Sequence, residues 1–419
     1  MLSGKGLNQK GSEIYLLREL AKKYYTLSLQ DRNAERLILH RNVNDLKHTR
    51  PVVLINELPW VEMNIDNQLT LLCDNPILRE AEDFFRKQIF QYTYFPADMI
   101  LKPYYPLRKI IQFSETGLSV NEDTIATPDG NHIVAHEYHD QLALEESIDR
   151  ITMPDVMYME KETLYKYSVI AEAIGDIVPV KLMGIDCLYV TTWDDISMYR
   201  GVTPLLIDLM DRPEYTHKMV RKLTDIYVHK LNQYEKLGLF ESDPFDLHCT
   251  PVANSTLKPL EEEGFVTRKN IWGRGAAQIF ASVSGSMREE FDIAYMKETV
   301  GQCGLVYYGC CEPLDKMIDI VEEIPNLRKI SVTPWADVDR AADVMGSKYV
   351  FSSKPNPASV AVSALDEKDL RKELSKILDA IKRNNCPADI VLKDISSCHH
   401  NPQNIFNWEK VAMEMVQSI

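Results

Sequence analysis

Four soft donors stand where strand-like runs of this sequence give out. They are His248 after 245–247, the adjacent Cys310 and Cys311 after 304–309, and Cys398 after 389–395. Three thiolate or imidazole donors converging on one point make a catalytic zinc site, which keeps one coordination position open. The ion deprotonates a bound thiol and polarises an ether or phenol oxygen as a Lewis acid. Neighbouring residues of a strand point to opposite faces. At most one of Cys310 and Cys311 therefore faces such a site if strand geometry persists there. Two acids stand at comparable places, Glu57 after the apolar run 52–55 and Asp194 ahead of a helix pattern. Lys354 is one of few cations at a strand end. Plainer roles are open to each: a helix-capping acid, a hydrogen-bonded core histidine, or small core hydrophobes for the cysteines.

The elements that must position these groups are strand-then-helix units. Four follow one another between 278 and 357, with strand-like runs at 278–284, 304–308, 328–332 and 349–353. Short apolar β-branched runs alternating with helical patterns are the mark of parallel βα units. Further runs at 52–55, 98–103, 178–183 and 389–395 bring the number to eight. The pieces around His248 and Gln278 are read as one fourth-strand region interrupted by an insertion that carries Glu261, Glu262 and Glu263. Eight such units predict a (β/α)8 TIM barrel over 51–419, preceded by a helical segment over 1–50 that caps the barrel or makes a homodimer contact. In that fold chemistry collects at the carboxyl ends of the strands, where Cys310 and Cys398 can meet across the mouth. A doubly wound sheet is the alternative, weakened by the lack of any Gly-x-Gly-x-x-Gly or phosphate loop. Residues 109–150 break the rhythm. Their turn at 127–131 and their His132, His136 and His139 read as a polar excursion rather than a metal cluster.

Composition narrows the partners. The chain has 419 residues, 45% hydrophobic and 26% charged, with a formal net charge of −15. That charge argues against nucleic acid or an anionic membrane surface as partner. No apolar run approaches the ~18 residues of a membrane span, and no leader pattern opens the chain. A cytoplasmic protein with reduced thiols is expected.

The motifs carry a resemblance. Gln278-Ile279-Phe280-Ala281-Ser282 with Ser286 to Phe291, Ser331 to Ala342 with its Trp335, Lys354-Pro355-Asn356-Pro357, and Asn401-Pro402-Gln403-Asn404 occur in order. Together they resemble the uroporphyrinogen decarboxylase-like superfamily over nearly the whole length. The decarboxylase branch has an arginine-bearing Met-Arg-Gln-Ala-Gly-Arg segment at the first strand. Here that place holds Asn56-Glu57-Leu58-Pro59-Trp60. The chain is closer to the corrinoid-dependent methyltransferases of O-demethylase systems.

That resemblance implies a methyltransferase moving a methyl group from a methoxylated aromatic to a corrinoid protein, with zinc held by His-x-Cys and a later Cys. Tyr308-Gly309-Cys310 and Cys398 stand at the matching places. Tyr308 replaces the histidine, so His248 is taken as its substitute beside Cys310 and Cys398. Trp60, Trp193 and Trp335 suit a flat substrate, and Glu57 and Asp194 would aid the leaving phenolate. No Asp-x-His-x-x-Gly motif occurs, so cobalamin is expected on a separate protein. A decarboxylase of the uroporphyrinogen type, and a non-catalytic barrel binding a ligand or a corrinoid protein, are the alternatives.

Overall fold

The structure is a computed structural model, which describes residues 5–126, 134–242, 244–257 and 265–418. The expected turn at 127–131, His132 and the 261–263 acids fall outside them. The framework is a seven-stranded, wholly parallel sheet. Its strands in chain order are β1 (Val52–Ile55), β2 (Cys187–Val190), β3 (Trp272–Gly275), β4 (Leu305–Tyr308), β5 (Leu327–Val332), β6 (Val350–Ser353) and β7 (Ala388–Leu392). Their order across the sheet is β1-β7-β6-β5-β4-β3-β2. Apart from β1, each strand neighbours the next one in the chain, as successive crossovers between parallel strands produce. Among the described residues no ring of strands closes, and no helix is long and apolar enough to cross a membrane.

One face of the sheet is apolar. Val53, Ile55, Val306, Ile330, Phe351 and Leu392 pack with Ala342, Leu374, Ile377 and Trp408 of the covering helices. Those helices start where side-chain oxygens cap them. Asp337 accepts from the Asp339 and Arg340 N–H groups ahead of Val338–Met345. Asp366 does the same ahead of Glu367–Arg383. Asn75 followed by Pro76 opens Pro76–Tyr94. Caps of this kind satisfy donors that a helix start leaves free.

The opposite face is polar and is also buried. Arg274, Lys329, Ser352 and Asp389 lie there at 3% exposure or less. They are covered by the segment 244–257, whose Leu247, Cys249 and Val252 pack on Trp272 and Tyr307.

Three expectations fail for local reasons. Residues 98–103 form no strand. Asp98 instead uses its own N–H on the Val53 carbonyl (2.9 Å) and its carboxylate on the Val53 N–H (2.9 Å), with Arg50 forked onto it. A side chain thus occupies the edge of β1 where a second strand was expected. Residues 178–183 do form a short strand, Val180–Met183, but it pairs with Tyr105–Arg108; the chain enters the main sheet only afterwards, as β2. The fourth strand is neither 245–250 nor 278–284. Asp246–Leu247 and Thr250–Pro251 make an antiparallel hairpin, and Gln278–Ser282 is a turn of 3₁₀ helix. The sheet strand is Trp272-Gly273-Arg274-Gly275, which its glycines and arginine disguised. Those glycines are required, because a Cβ on Gly273 would lie 2.8 Å from Val300 Cβ, and one on Gly275 2.9 Å from Met296 Sδ. The following helical residues lie flush on the strand.

Candidate metal centre

Construction of the site starts with the hairpin. His248 and Cys249 are its two turn residues. Cys249 has φ +57°, a left-handed conformation that costs a non-glycine residue about 1–3 kcal/mol unless its surroundings hold it. The surroundings are the polar face. Lys354 Nζ donates to the Cys249 carbonyl (2.7 Å) and to Ser352 Oγ (2.8 Å). Lys329 Nζ donates to Thr250 Oγ1 (3.0 Å) and pairs with Asp389 Oδ2 (2.7 Å). Asn44 Nδ2 donates to the Pro251 and Ala253 carbonyls (3.2 and 2.9 Å). The Tyr189 hydroxyl accepts the His248 N–H (3.0 Å). Buried charge tolerates no slack, since each unpaired group costs more than its bond returns. The turn is therefore pinned in one place.

That place is the carboxyl end of β4. His248, Cys249 and Cys310 each offer a ligand atom, and the three atoms lie within 4.8 Å of one another. His248 Nδ1 faces Glu57 Oε1 at 2.7 Å, and the imidazole is also hydrogen-bonded to Cys310. A carboxylate behind a histidine fixes the ring and raises its basicity as a ligand. Glu57 is itself held by the Asp394 N–H (3.0 Å). Backbone with positive φ gathers here: Glu57, Cys249 and Asp394, besides Gly309. Such conformations concentrate where surrounding structure over-determines a functional geometry.

The charges fit a metal-thiolate centre. Lys393 Nζ lies 3.4 Å from Cys310 Sγ and 3.5 Å from Cys311 Sγ. Arg274, 3% exposed, stands over the Tyr307 and Tyr189 rings, and its Nε and Nη2 have no hydrogen-bond partner among the described residues. The Cys310 sulfur and then Glu57 push His248 up to about 10 against burial, so it carries a proton that a metal would displace. Burial opposes ionisation of Glu57, but His248, Asp394 and Lys393 outweigh it and hold the carboxyl well below the usual range. Contact with Cys310, then burial, pushes the Cys249 thiol up, while Lys354, Lys393 and Arg274 pull it back. Two cavities flank the triad. One of about 440 Å³ is lined by Cys310, Cys311, Trp335, Lys354, Lys393 and Asp394. The other, of about 300 Å³, is lined by His248, Tyr189, Cys187 and Arg108.

Of the residues predicted for the site, His248, Glu57 and Cys310 are brought together. Cys398 does not join the group. Its N–H donates to Glu62 Oε2 (2.8 Å), and it is buried in the core that holds Trp408. Tyr308 lies on the apolar face, bonded to Arg288 and Asp292. Both Cys310 and Cys311 face Lys393, because Gly309 at φ +96° ends the strand before them; their sulfurs are 3.7 Å apart. Trp193 is a core residue with 0% exposure, its indole N–H donated to the Phe291 carbonyl (3.0 Å). Trp60 packs edge-on to Phe90 with Lys87 over its ring, and lines neither cavity. Trp335 and Lys354 do line the larger cavity, Trp335 at 70% exposure and Lys354 at its buried floor. Asp194 takes a hydrogen bond from Gln278 Nε2 (3.0 Å) and is repelled by Glu312, whose carboxylate accepts the Cys310 N–H (3.0 Å). Burial raises Asp194 to about 6. Sequence reasoning missed Cys249 as a candidate ligand, although the His-Cys dipeptide was its signal, and missed Lys393, a cation at a strand end. His136 and His139 pair separately with Glu122 and Asp123 on an exposed hairpin.

No family model matches the chain, and no curated protein matches it. Among solved structures the chain is similar to a methyltransferase from Methanosarcina mazei. The TM-score is 0.46 and the identity 11%, over 89% of this chain and 96% of that one.

Proposed function

We propose that this chain is a zinc-dependent methyltransferase that passes a methyl group from a methoxylated aromatic to a corrinoid protein. The observation that carries the reading is the convergence of His248, Cys249 and Cys310 beside an open cavity. One imidazole and two thiols are the donors zinc prefers, and three protein ligands leave the fourth position for substrate. Zinc held there supplies a Lewis acid for the ether oxygen of the donor. The chain's own residues do the rest. Glu57 orients His248. Lys393 and Arg274 offset thiolate charge. Lys354 fixes Cys249 through its backbone. The larger cavity takes the aromatic ring, with Trp335 at its rim. Positioning of this kind accounts for most of what a protein adds when a cofactor carries the hard chemistry. The corrinoid belongs to a partner protein, in keeping with the missing corrinoid-binding motif. The fold is read as a barrel-like variant of (β/α)8, its second strand replaced by the Asp98 contact and one face filled by 244–257.

The test is metal analysis of the purified protein, followed by incubation with methoxylated aromatics and a reduced corrinoid acceptor. One zinc per chain is expected, with release of the demethylated phenol only when acceptor and zinc are both present. Phenol release that survives complete removal of zinc would refute the role assigned to the triad. Decarboxylation of a porphyrinogen without any methyl transfer would move the chain to the other branch.

A further inference from the structure

Cys311 has no place in the metal triad, yet it sits against it. Its sulfur is 3.7 Å from Cys310 Sγ. All seven other cysteines are buried, whereas Cys311 is partly exposed and lines the 440 Å³ cavity. Gly309 is what aims both sulfurs the same way, and its φ of +96° is a conformation in which an L side chain is strained. Lys393 Nζ stands within 3.5 Å of both sulfurs.

We propose that Cys310 and Cys311 form a peroxide-responsive modification site. Cys311 is the point of entry and Cys310 the resolving thiol. The Cys311 sulfur attacks a hydroperoxide; an S–O bond forms, the O–O bond breaks and water (or, from an organic hydroperoxide, the alcohol) leaves. The Cys310 sulfur then attacks the sulfenic acid; the S–S bond forms, the S–O bond breaks and water leaves. The two sulfurs lose two electrons in total and the hydroperoxide gains them. A bridge between neighbouring residues spans a Cα separation fixed near ~3.8 Å, below the ~4.4 Å at which ordinary disulfides begin. The bridge is therefore strained and readily reduced, which makes the modification reversible. Its consequence rests on the zinc reading above: Cys310 cannot be both a bridge sulfur and a zinc thiolate, so oxidation releases the metal and reduction restores the site.

The experiment treats the full-length protein, zinc-loaded and zinc-free, with stoichiometric hydrogen peroxide and reads intact mass, fragment ions and free zinc. The expected result is a loss of about 2 Da, the two hydrogens removed by a disulfide, mapped to residues 310 and 311 and reversed by dithiothreitol. Loaded protein should release its zinc in step. Cys311→Ser should abolish the mass loss and hold its zinc at the same peroxide dose. A stable gain of about 32 Da at Cys311, the signature of a sulfinic acid, a bridge to Cys249, or an unchanged mass would each overturn the proposal. The same mass loss in protein that never binds zinc would leave the thiol pair standing and remove the metal reading instead.

Discussion

Lys354→Met tests whether the buried lysine shapes the metal centre without touching it. The ammonium makes two bonds, to the Cys249 carbonyl and to Ser352 Oγ, and sits 3.9 Å from Asp389. Methionine fills similar space but leaves the Cys249 carbonyl without its donor, while Ser352 Oγ keeps Thr250 Oγ1 at 3.2 Å. Each buried acceptor left unpaired costs ~1–3 kcal/mol, offset in part because a desolvated charge is also removed. A net loss of about 1–3 kcal/mol in urea unfolding is expected. The effect on metal is separate. Cys249 holds φ +57°, a strain of about 1–3 kcal/mol that the Lys354 bond helps to retain. Once released, the turn relaxes and carries the thiol away from Cys310. Zinc should then bind roughly 10–100-fold more weakly, the range that a lost supporting contact costs a metal site. The assay is competition with a chromophoric chelator at neutral pH, run on Lys354→Met, Cys249→Ala and the double variant. If Lys354 acts through Cys249, the two losses are strongly non-additive, because the second change removes nothing further. Additive losses, or a Lys354→Met protein that binds zinc as the parent does, would refute the argument.

Zinc content should separate the cysteines, with Cys249→Ser and Cys310→Ser losing the ion and Cys398→Ser keeping it, read by metal analysis after dialysis. Asp194 should give a pH signature. Its folded carboxyl, raised to about 6 from 3.8, keeps a proton the unfolded chain has released. Stability from this group is thus present below about pH 4 and lost as pH rises through about 6, by at most ~3 kcal/mol. Asp194→Asn should flatten unfolding free energy over that window, and an unchanged slope would contradict the shift. Trp193→Ala should cost about 3–5 kcal/mol of stability as a core deletion. Trp335→Ala should stay within about 0.5 kcal/mol of the parent and raise KM for the aromatic substrate, both read by urea titration and steady-state kinetics.

The parallel sheet was largely legible because most of its strands are short apolar, β-branched runs, and β1, β4, β5, β6 and β7 fall where the runs do. Helix starts of this kind are local devices, since the caps Asn75, Asp337 and Asp366 need only their own chain neighbours. His248 and Cys310 could be singled out because soft donors at strand ends are few. What the sequence could not decide are the choices made by groups far apart in the chain. β3 hides in Trp-Gly-Arg-Gly because its fitness depends on Val300 and Met296 lying flush against it. Cys249 rather than Cys398 stands beside Cys310 because Lys354, Lys329 and Asn44 pin one turn there, while Glu62 draws the backbone of Cys398 elsewhere. Trp193 and Trp335 are alike as letters, yet one is sealed in the core and the other stands at a cavity rim. Local periodicity fixes which residues share a face. Only packing and the obligation to pair every buried charge determine which faces meet.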